Sequence, residues 1–133
     1  MAKVYLVGAG PGDEGLITVK GLRLLQKADY IIYDRLINYN LLNDKKADAK
    51  IYYVGKEGMK SSYKQDAINE LLLKCAREEG KITVRLKGGD PLVFGRGSEE
   101  ALFLKEHGIA SEIVPGISSS IGGLIYGGIP TTH

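Results

Sequence analysis

Short apolar runs alternate with polar and amphipathic segments along the whole chain. Five of these runs are rich in β-branched and aromatic residues, as strands are, and they span residues 4–7, 30–33, 51–54, 82–86 and 112–114. Segments with helical character lie between and after them, at about residues 18–27, 36–43, 65–79, 98–107 and from 118 onward. The alternation predicts an α/β fold, with a five-stranded, mostly parallel sheet flanked by helices.

The clearest helical segment lies at residues 65–79. One apolar stripe runs along it, formed by Ile68, Leu71, Leu72, Cys75 and Ala76. Because Cys75 lies on this stripe, we interpret it as a small core residue and not as a nucleophile. Gly80 is predicted to end the helix.

The other helical segments carry end signals of their own. In the segment at 18–27, the predicted buried positions are Val19, Leu22 and Leu25. His107 followed by Gly108 is ordinary chemistry for a helix C-terminus, so we interpret His107 as structural. Ser118 or Ser119 is predicted to cap the last helix.

Composition narrows the class of protein without identifying it. The chain has 133 residues, 44% of them hydrophobic and 26% charged, with a net charge of +2, which indicates one soluble globular domain. So small a charge gives no reason to expect nucleic acid or a membrane surface as partner, and no apolar run reaches the roughly 18 residues of a membrane span. One cysteine excludes an internal disulfide, and with two histidines we expect no metal site. The chain begins directly with a strand pattern, so we expect a cytoplasmic protein without a signal peptide.

Glycine, proline and charged residues collect at one end of the predicted strands. They follow the strands in turn, at residues 8–13, Asp34-Arg35, Gly55-Lys56, residues 88–97 and residues 115–120. The opposite ends carry nothing comparable. In an open parallel sheet, ligands bind outside the carboxyl ends of the strands. The asymmetry therefore predicts a ligand-binding cleft at that edge.

The longest of these loops, residues 88–97, has the composition of a ligand-binding loop. It begins G-G-D-P and then places Arg96 between two glycines, which let a ligand approach the backbone closely. Ser98 is predicted to cap the following helix, with Glu99 and Glu100 in its first turn. Two plainer interpretations stay open: an ordinary strand-to-helix connection, and an ion pair between Arg96 and one of the two glutamates.

A dinucleotide-binding fold is the first alternative, because G-A-G-P-G follows the first strand and Asp34 ends the second. The fingerprint fails in detail. A G-x-G-x-x-G motif that starts at Gly8 needs glycine where Asp13 stands, and Pro11 removes an amide that a phosphate site would use. We therefore expect another class of ligand.

Several segments together resemble the tetrapyrrole (corrin/porphyrin) methylase family. They are V-G-A-G-P-G-D, A-D-Y-I-I-Y-D-R-L, V-G-K, R-L-K-G-G-D-P-L-V-F-G-R-G-S-E-E and V-P-G-I-S-S, and they cover essentially the whole chain in order. The resemblance implies the N-terminal half of a two-domain class III methyltransferase, with S-adenosylmethionine held between the halves. It further implies C-methylation of uroporphyrinogen III, in the sirohaem and cobalamin branch, by an enzyme that is a homodimer at full length.

The resemblance also implies the residues of the site. The methyl donor is expected to contact Pro11, Gly88, Gly89, Asp90, Val93, Ser118 and Ser119. Asp34 and Lys56 are expected to form an acid–base pair, and Arg96, also counted as catalytic, is expected to contact the tetrapyrrole together with Glu99. The acceptor carries many carboxylates, so its partners would be basic residues: Arg35, Lys56, Lys60, Lys64, Lys87 and Arg96. For each lysine, a solvated surface position is the alternative.

Some positions depart from the family pattern. Related sequences usually have Thr-Ala or Thr-Ser where Ser118-Ser119 stands, and an Arg and a His where Glu57 and Ser61 or Ser62 stand. Methylation of another precorrin, of rRNA or of diphthine stays an alternative function, as does a non-catalytic nucleotide-binding module. Residues 129–133 do not look like a natural terminus. We therefore expect a C-terminal domain to be absent from this chain, and the chain alone to be inactive.

Overall fold

The computed structural model describes residues 4–55, 61–92, 96–128 and 132. Its strands are β1 Val4–Gly8, β2 Tyr30–Tyr33, β3 Lys50–Tyr53, β4 Thr83–Lys87 and β5 Ser111–Val114. They form one sheet in the order β3-β2-β4-β1-β5, and every pairing is parallel. The predicted fold class is confirmed, and each strand lies within one residue of its expected limits.

Helices cover both faces of this sheet. The described residues form α1 Val19–Lys27, α2 Ser61–Ala76, α3 Gly97–Glu106 and α4 Ser119–Tyr126, and the 3-10 helices Glu14–Leu16 and Tyr39–Asp44. One core lies under α1 and the second 3-10 helix, and the other lies under α2 and α3. Each fully buried leucine or isoleucine in these cores contributes about 1.5–3 kcal/mol. The two cores fix the sheet, and with it the relative positions of the loops at its carboxyl edge.

Two helical predictions need correction. The helix predicted at 36–43 is the 3-10 helix Tyr39–Asp44, and the Asn38 side chain accepts a hydrogen bond from the Asn40 amide at 2.9 Å at its start. Asparagine and aspartate make such local bonds in competition with an α-helix. Val19 of α1 is 64% exposed, not buried. At 100° per residue, Val19 lies about 120° around the helix from the buried Leu25.

The apolar stripe of α2 is confirmed. Ile68, Leu72, Cys75 and Ala76 are buried, and Leu71 packs beside them. Burial raises the pKa of the Cys75 thiol to about 11, so its thiolate is scarce at neutral pH. This confirms the interpretation of Cys75 as a core residue. The helix ends at Ala76, and Gly80, with a φ of 72°, closes the turn that follows.

The end of α3 is built as predicted. His107 follows the helix, with its Nδ1 atom 2.8 Å from the carbonyl oxygen of Phe103, and Gly108 has a φ of 77°. These contacts are local to the helix end and support a structural role for His107. None of the helices in the described part of the chain is long and apolar enough to cross a membrane.

Candidate ligand-binding crevice

The connections that leave β1 and β4 diverge, although the two strands are neighbours. After β1 the chain continues into α1 on one face of the sheet, and after β4 it continues into α3 on the other face. Divergence of this kind opens a crevice at the carboxyl edge of a parallel sheet. The predicted ligand edge is therefore also the topological switch point of the sheet.

The loops after β1, β4 and β5 meet through their backbones at four glycines: Gly8, Gly10, Gly89 and Gly116. The Gly10 amide donates to the Gly89 carbonyl at 3.2 Å, and the Gly89 amide donates to the Gly10 carbonyl at 2.8 Å. A Cβ atom on Gly116 would lie 2.3 Å from the Gly89 oxygen and 2.9 Å from the Gly8 Cα atom. The three loops pack this closely only because glycine has no side chain.

We expect Gly116→Ala to destabilise the chain by about 1–3 kcal/mol, because its methyl group would overlap backbone atoms that cannot rotate away. Thermal unfolding followed by circular dichroism measures the effect. Gly15→Ala is the matched control, since its Cβ atom would meet only the end of the Asp13 side chain, at 3.2 Å. Equal melting temperatures for the two variants would contradict the close approach.

Asp90 joins the loop after β4 to the loop after β5. Its Oδ2 atom accepts a hydrogen bond from the Gly116 amide at 3.0 Å, and its Oδ1 atom accepts one from the Leu92 amide at 2.9 Å. Both oxygens keep a lone pair, so the half-buried carboxylate has the capacity to accept further donors. The Gly89 amide is not available to a ligand, because it bonds to the Gly10 carbonyl. Gly88 packs against Leu36, from which an added Cβ atom would be only 2.7 Å away.

Asp34 follows β2 and lies at the same edge of the sheet. Its Oδ1 atom accepts a hydrogen bond from the Leu36 amide at 3.0 Å, and its Oδ2 atom lies 3.8 Å from Nη2 of Arg85. The Asp34 side chain is 22% exposed. The carboxylate is thus hydrogen-bonded at Oδ1, has a cation beside Oδ2 and still reaches the solvent.

Behind Asp34 lies a group of buried side chains that we call the buried ion cluster: Arg85, Lys87, Glu100 and Gln65. The fully buried Glu100 is its centre. Its Oε2 atom accepts from Nε of Arg85 and from Nε2 of Gln65, both at 3.2 Å, and its Oε1 atom accepts from Nζ of Lys87 at 2.9 Å. The cluster lies between β4 and the helices α2 and α3, which contribute Gln65 and Glu100.

Burial and charge act in opposite directions on Glu100. Burial by itself would raise the pKa of this carboxyl group, but Arg85 and Lys87 outweigh it and hold the pKa of Glu100 below its ordinary 4.5. Burial and the neighbouring Arg85 lower the pKa of Lys87, which Glu100 and Asp34 partly offset. The buried carboxylate is therefore ionised at neutral pH because two cations face it.

The sequence prediction missed this cluster. The prediction that Lys87 meets substrate carboxylates is wrong, because Lys87 is buried and bonded to Glu100. A signal was nevertheless present. Arg85 and Lys87 alternate with apolar residues on a central strand, and Glu100 lies one turn before the buried Leu104 on α3. Charges at positions that should be apolar point to a buried ion pair.

The start of α3 also differs from the prediction. Arg96 occupies the N-cap position without a side-chain bond, so the predicted Ser98 cap is wrong. The Gly97 amide donates to the Pro91 carbonyl at 3.0 Å, so the loop itself satisfies the first amide of the helix. The Arg96 side chain is 45% exposed, and its Nη1 atom lies 3.9 Å from Oε2 of Glu99. The sequence left open an ion pair between Arg96 and one of the two glutamates, and this contact is that pair.

Three other predicted site residues border the crevice. Pro11 packs against Gly122 of α4, where an added Cβ atom would lie 2.9 Å from its ring. Ser118 is buried, and its Oγ atom accepts a hydrogen bond from the Ser120 amide at 3.3 Å, which places it as the cap of α4. Ser119 is the first residue of that helix.

The loop after β2 completes the part of the crevice that the structure describes. Nδ2 of Asn38 donates to the Gly12 carbonyl at 2.9 Å and so joins this loop to the loop after β1. Pro11, Asp34, Gly88, Gly89, Asp90 and Ser118 thus come from four loops that touch one another. Lys56, Lys60 and Val93 lie outside the described residues.

Comparisons with known proteins agree with the motifs. The family of Tetrapyrrole (Corrin/Porphyrin) Methylases matches residues 3–133. The uroporphyrinogen-III C-methyltransferase of Priestia megaterium is 59% identical over 133 residues, which are 100% of this chain and 56% of that protein. The enzyme of the same name from Methanocaldococcus jannaschii is 56% identical over 131 residues, 98% of this chain and 54% of that protein.

Solved structures agree as well. The crystal structure of uroporphyrin-III C-methyl transferase from Thermus thermophilus complexed with S-adenyl homocysteine matches with a TM-score of 0.81 and 48% identity, covering 99% of this chain and 54% of that chain. The present chain spans about half the length of the curated relatives that it matches. The motifs, the fold and the matches over nearly every residue lead to one assignment: this chain belongs to the tetrapyrrole (corrin/porphyrin) methylases.

Proposed function

We propose that this chain is the N-terminal half of a two-domain enzyme that C-methylates uroporphyrinogen III with S-adenosylmethionine. The observation that carries the proposal is the 59% identity to the Priestia megaterium relative over all 133 residues. A second domain would cover the crevice from the other side. The full-length protein, meaning this chain with the part of its relatives that it does not span, would be a cytoplasmic homodimer.

The residues of the crevice fit the methyl donor. When bound, S-adenosylmethionine supplies an activated methyl group, and its amino-acid and adenosine parts need polar groups and an apolar surface. We assign these contacts to Pro11, Gly88, Gly89, Asp90, Val93, Ser118 and Ser119. Among those described, Asp90 has lone pairs left for an ammonium group. The loops also leave room, since a Cβ atom on Gly12 would meet nothing within 4 Å.

Asp34 and Lys56 are assigned as proton acceptor and donor. Methylation of a ring carbon must be followed by the loss of a proton from the acceptor, and a base has to lie within hydrogen-bond reach of that proton. Asp34 suits this role because its carboxylate is partly exposed at the crevice while the Leu36 amide holds its other side. Positioning of both reactants is expected to supply much of the acceleration.

Basic residues near the crevice suit an acceptor that is rich in carboxylates. Arg35 and Arg96 are exposed, and Lys64 is half-buried. Arginine can hold a carboxylate with two parallel hydrogen bonds, which lysine cannot do. We therefore assign Arg96, with the exposed Glu99 beside it, to substrate binding.

The full-length protein, supplied with methyl-labelled S-adenosylmethionine and uroporphyrinogen III, tests the proposal. We expect label in the tetrapyrrole and calorimetric binding of S-adenosylmethionine but not of NAD. Binding of NAD alone would overturn the proposal in favour of a dinucleotide module. Binding of the donor without labelling of uroporphyrinogen III would overturn the acceptor assignment, and already methylated tetrapyrroles would then be tried.

We expect Arg96→Lys to lower kcat/KM of the full-length protein at least about tenfold while the melting temperature stays near that of the unsubstituted protein. The reason is that an ammonium cannot form the paired bonds of a guanidinium to a carboxylate. An ion pair with Glu99 alone would tolerate lysine. Arg23→Lys, at an exposed position of α1, is the control. An unchanged kcat/KM would mean that Arg96 does not bind the substrate and only pairs with Glu99 at the start of α3.

A further inference from the structure

Arg85 connects the buried ion cluster to the crevice. It is 3% exposed and central to the sheet, with its Nε atom 3.2 Å from Glu100 and its Nη2 atom 3.8 Å from Asp34. Glu100 is in turn held by Lys87 and Gln65. One end of the guanidinium is thus fixed in the core, and the other end lies beside a carboxylate that reaches the solvent.

Stability alone does not explain such a cluster. Taking ions out of water opposes folding, and apolar side chains of similar volume often stabilise a core as well or better. The charges supply a second clue. Within the cluster two cations, Arg85 and Lys87, face the single carboxylate of Glu100, and the nearby charge that balances them is Asp34. Counted over the described residues that these ion pairs join, two cations and two carboxylates balance once Asp34 at the crevice is included.

We propose that Arg85, held from behind by Glu100, is a positioning residue that orients the Asp34 carboxylate toward the crevice. The Leu36 amide bonds to Oδ1, and the charge of Arg85, 3.8 Å from Oδ2, attracts the other oxygen, so the two together favour one orientation of the carboxylate. Arg85 itself is too buried to touch a substrate. The catalytic consequence rests on the proposed function, in which Asp34 accepts a proton and needs a fixed geometry to do so.

A double-mutant cycle in the full-length protein tests this. Arg85→Lys keeps the charge but loses the planar fork, so we expect kcat to fall at least about tenfold with little change in KM for either substrate. In an Asp34→Asn background the same substitution is expected to cause no further loss. Unchanged kcat, or a loss that persists in the Asp34→Asn background, would overturn the proposal. Lys46→Met, which removes the ion pair with Asp29 at the opposite edge, is the control and should keep its kcat.

A second variant covers the case in which Arg85→Lys does not fold. Arg85→Met, Lys87→Met and Glu100→Leu together replace the cluster by apolar side chains, a change that buried ion groups often tolerate. We expect a folded protein whose kcat is at least about tenfold lower. Full activity of this triple variant would show that the cluster only fills the core.

Amide hydrogen exchange separates this proposal from the proposed function. Because the Leu36 amide donates to Asp34, its exchange rate reports whether the carboxylate stays in place. We expect Arg85→Lys to speed exchange at Leu36 at least about fivefold and to leave Ile32, in the middle of β2, unchanged. Suppose that the unsubstituted protein has no methylation activity, while Arg85→Lys still speeds amide exchange at Leu36. The proposed function then fails, and the positioning role of Arg85 stands. If Leu36 does not respond, the positioning is overturned, whether or not the protein is active.

Discussion

Asp34→Asn and Lys56→Met are each expected to slow turnover of the full-length protein by about 10²–10⁴, the contribution typical of a general acid or base. Asparagine keeps an oxygen for the Leu36 amide but cannot take up a proton under these conditions. Methionine keeps most of the length of lysine without its ammonium group. Since neither residue is assigned to the methyl donor, calorimetry should find the affinity for S-adenosylmethionine nearly unchanged.

Matched controls for these two variants lie at the other ends of the same strands. Asp29 precedes β2 as Asp34 follows it, and Lys50 begins β3 as Lys56 comes after it. Asp29→Asn and Lys50→Met should leave turnover close to that of the unsubstituted protein. Asp29→Asn is expected to cost some stability, because Asp29 bonds to the Ile82 amide and to Lys46. If Asp34→Asn and Lys56→Met turned over like these controls, the acid–base assignment would be wrong.

The sheet could be predicted because its signals are local. Residues 30–33, Y-I-I-Y, have the composition of a strand. The alternation of such strands with helices predicts a parallel sheet. Prediction failed where a local bond competes with the helix, as at Asn38. It failed again at Ser98, because the helix already begins at Gly97, whose amide donates to the Pro91 carbonyl.

The edge that carries the crevice could also be predicted, but not how its loops meet. Loop composition marked the carboxyl ends of the strands, yet the contact of Gly89 with Gly116 depends on strand order, which no local pattern specifies. The buried ion cluster is harder still. Gln65 and Glu100 are 35 positions apart, and Arg85 and Glu100 are 15 apart, so their pairing appears only once α2 and α3 pack on β4.

Glu100→Ala is expected to destabilise the chain by about 3–5 kcal/mol, because it leaves Arg85 and Lys87 buried without their counter-charge. For a domain of this size that corresponds to a fall in melting temperature of about 10–20 °C. Urea unfolding measures the loss. The neighbouring Glu99→Ala is the control, since Glu99 is 58% exposed and its ion pair with Arg96 is worth at most about 1 kcal/mol. Similar losses for the two variants would contradict the burial of the cluster.

The pH dependence of this loss identifies its cause. The pKa of Glu100 in the folded chain lies below the ordinary 4.5, so the stabilisation by its charge is complete above about pH 4.5 and disappears as the pH falls through the lowered pKa. Glu100→Gln keeps the shape of the side chain and never carries the charge. The difference in the free energy of unfolding between the unsubstituted chain and Glu100→Gln should therefore be constant from about pH 7 to pH 5 and shrink at lower pH. A difference that stays constant down to about pH 2 would mean that Glu100 stabilises the fold by its hydrogen-bond geometry and not by its charge.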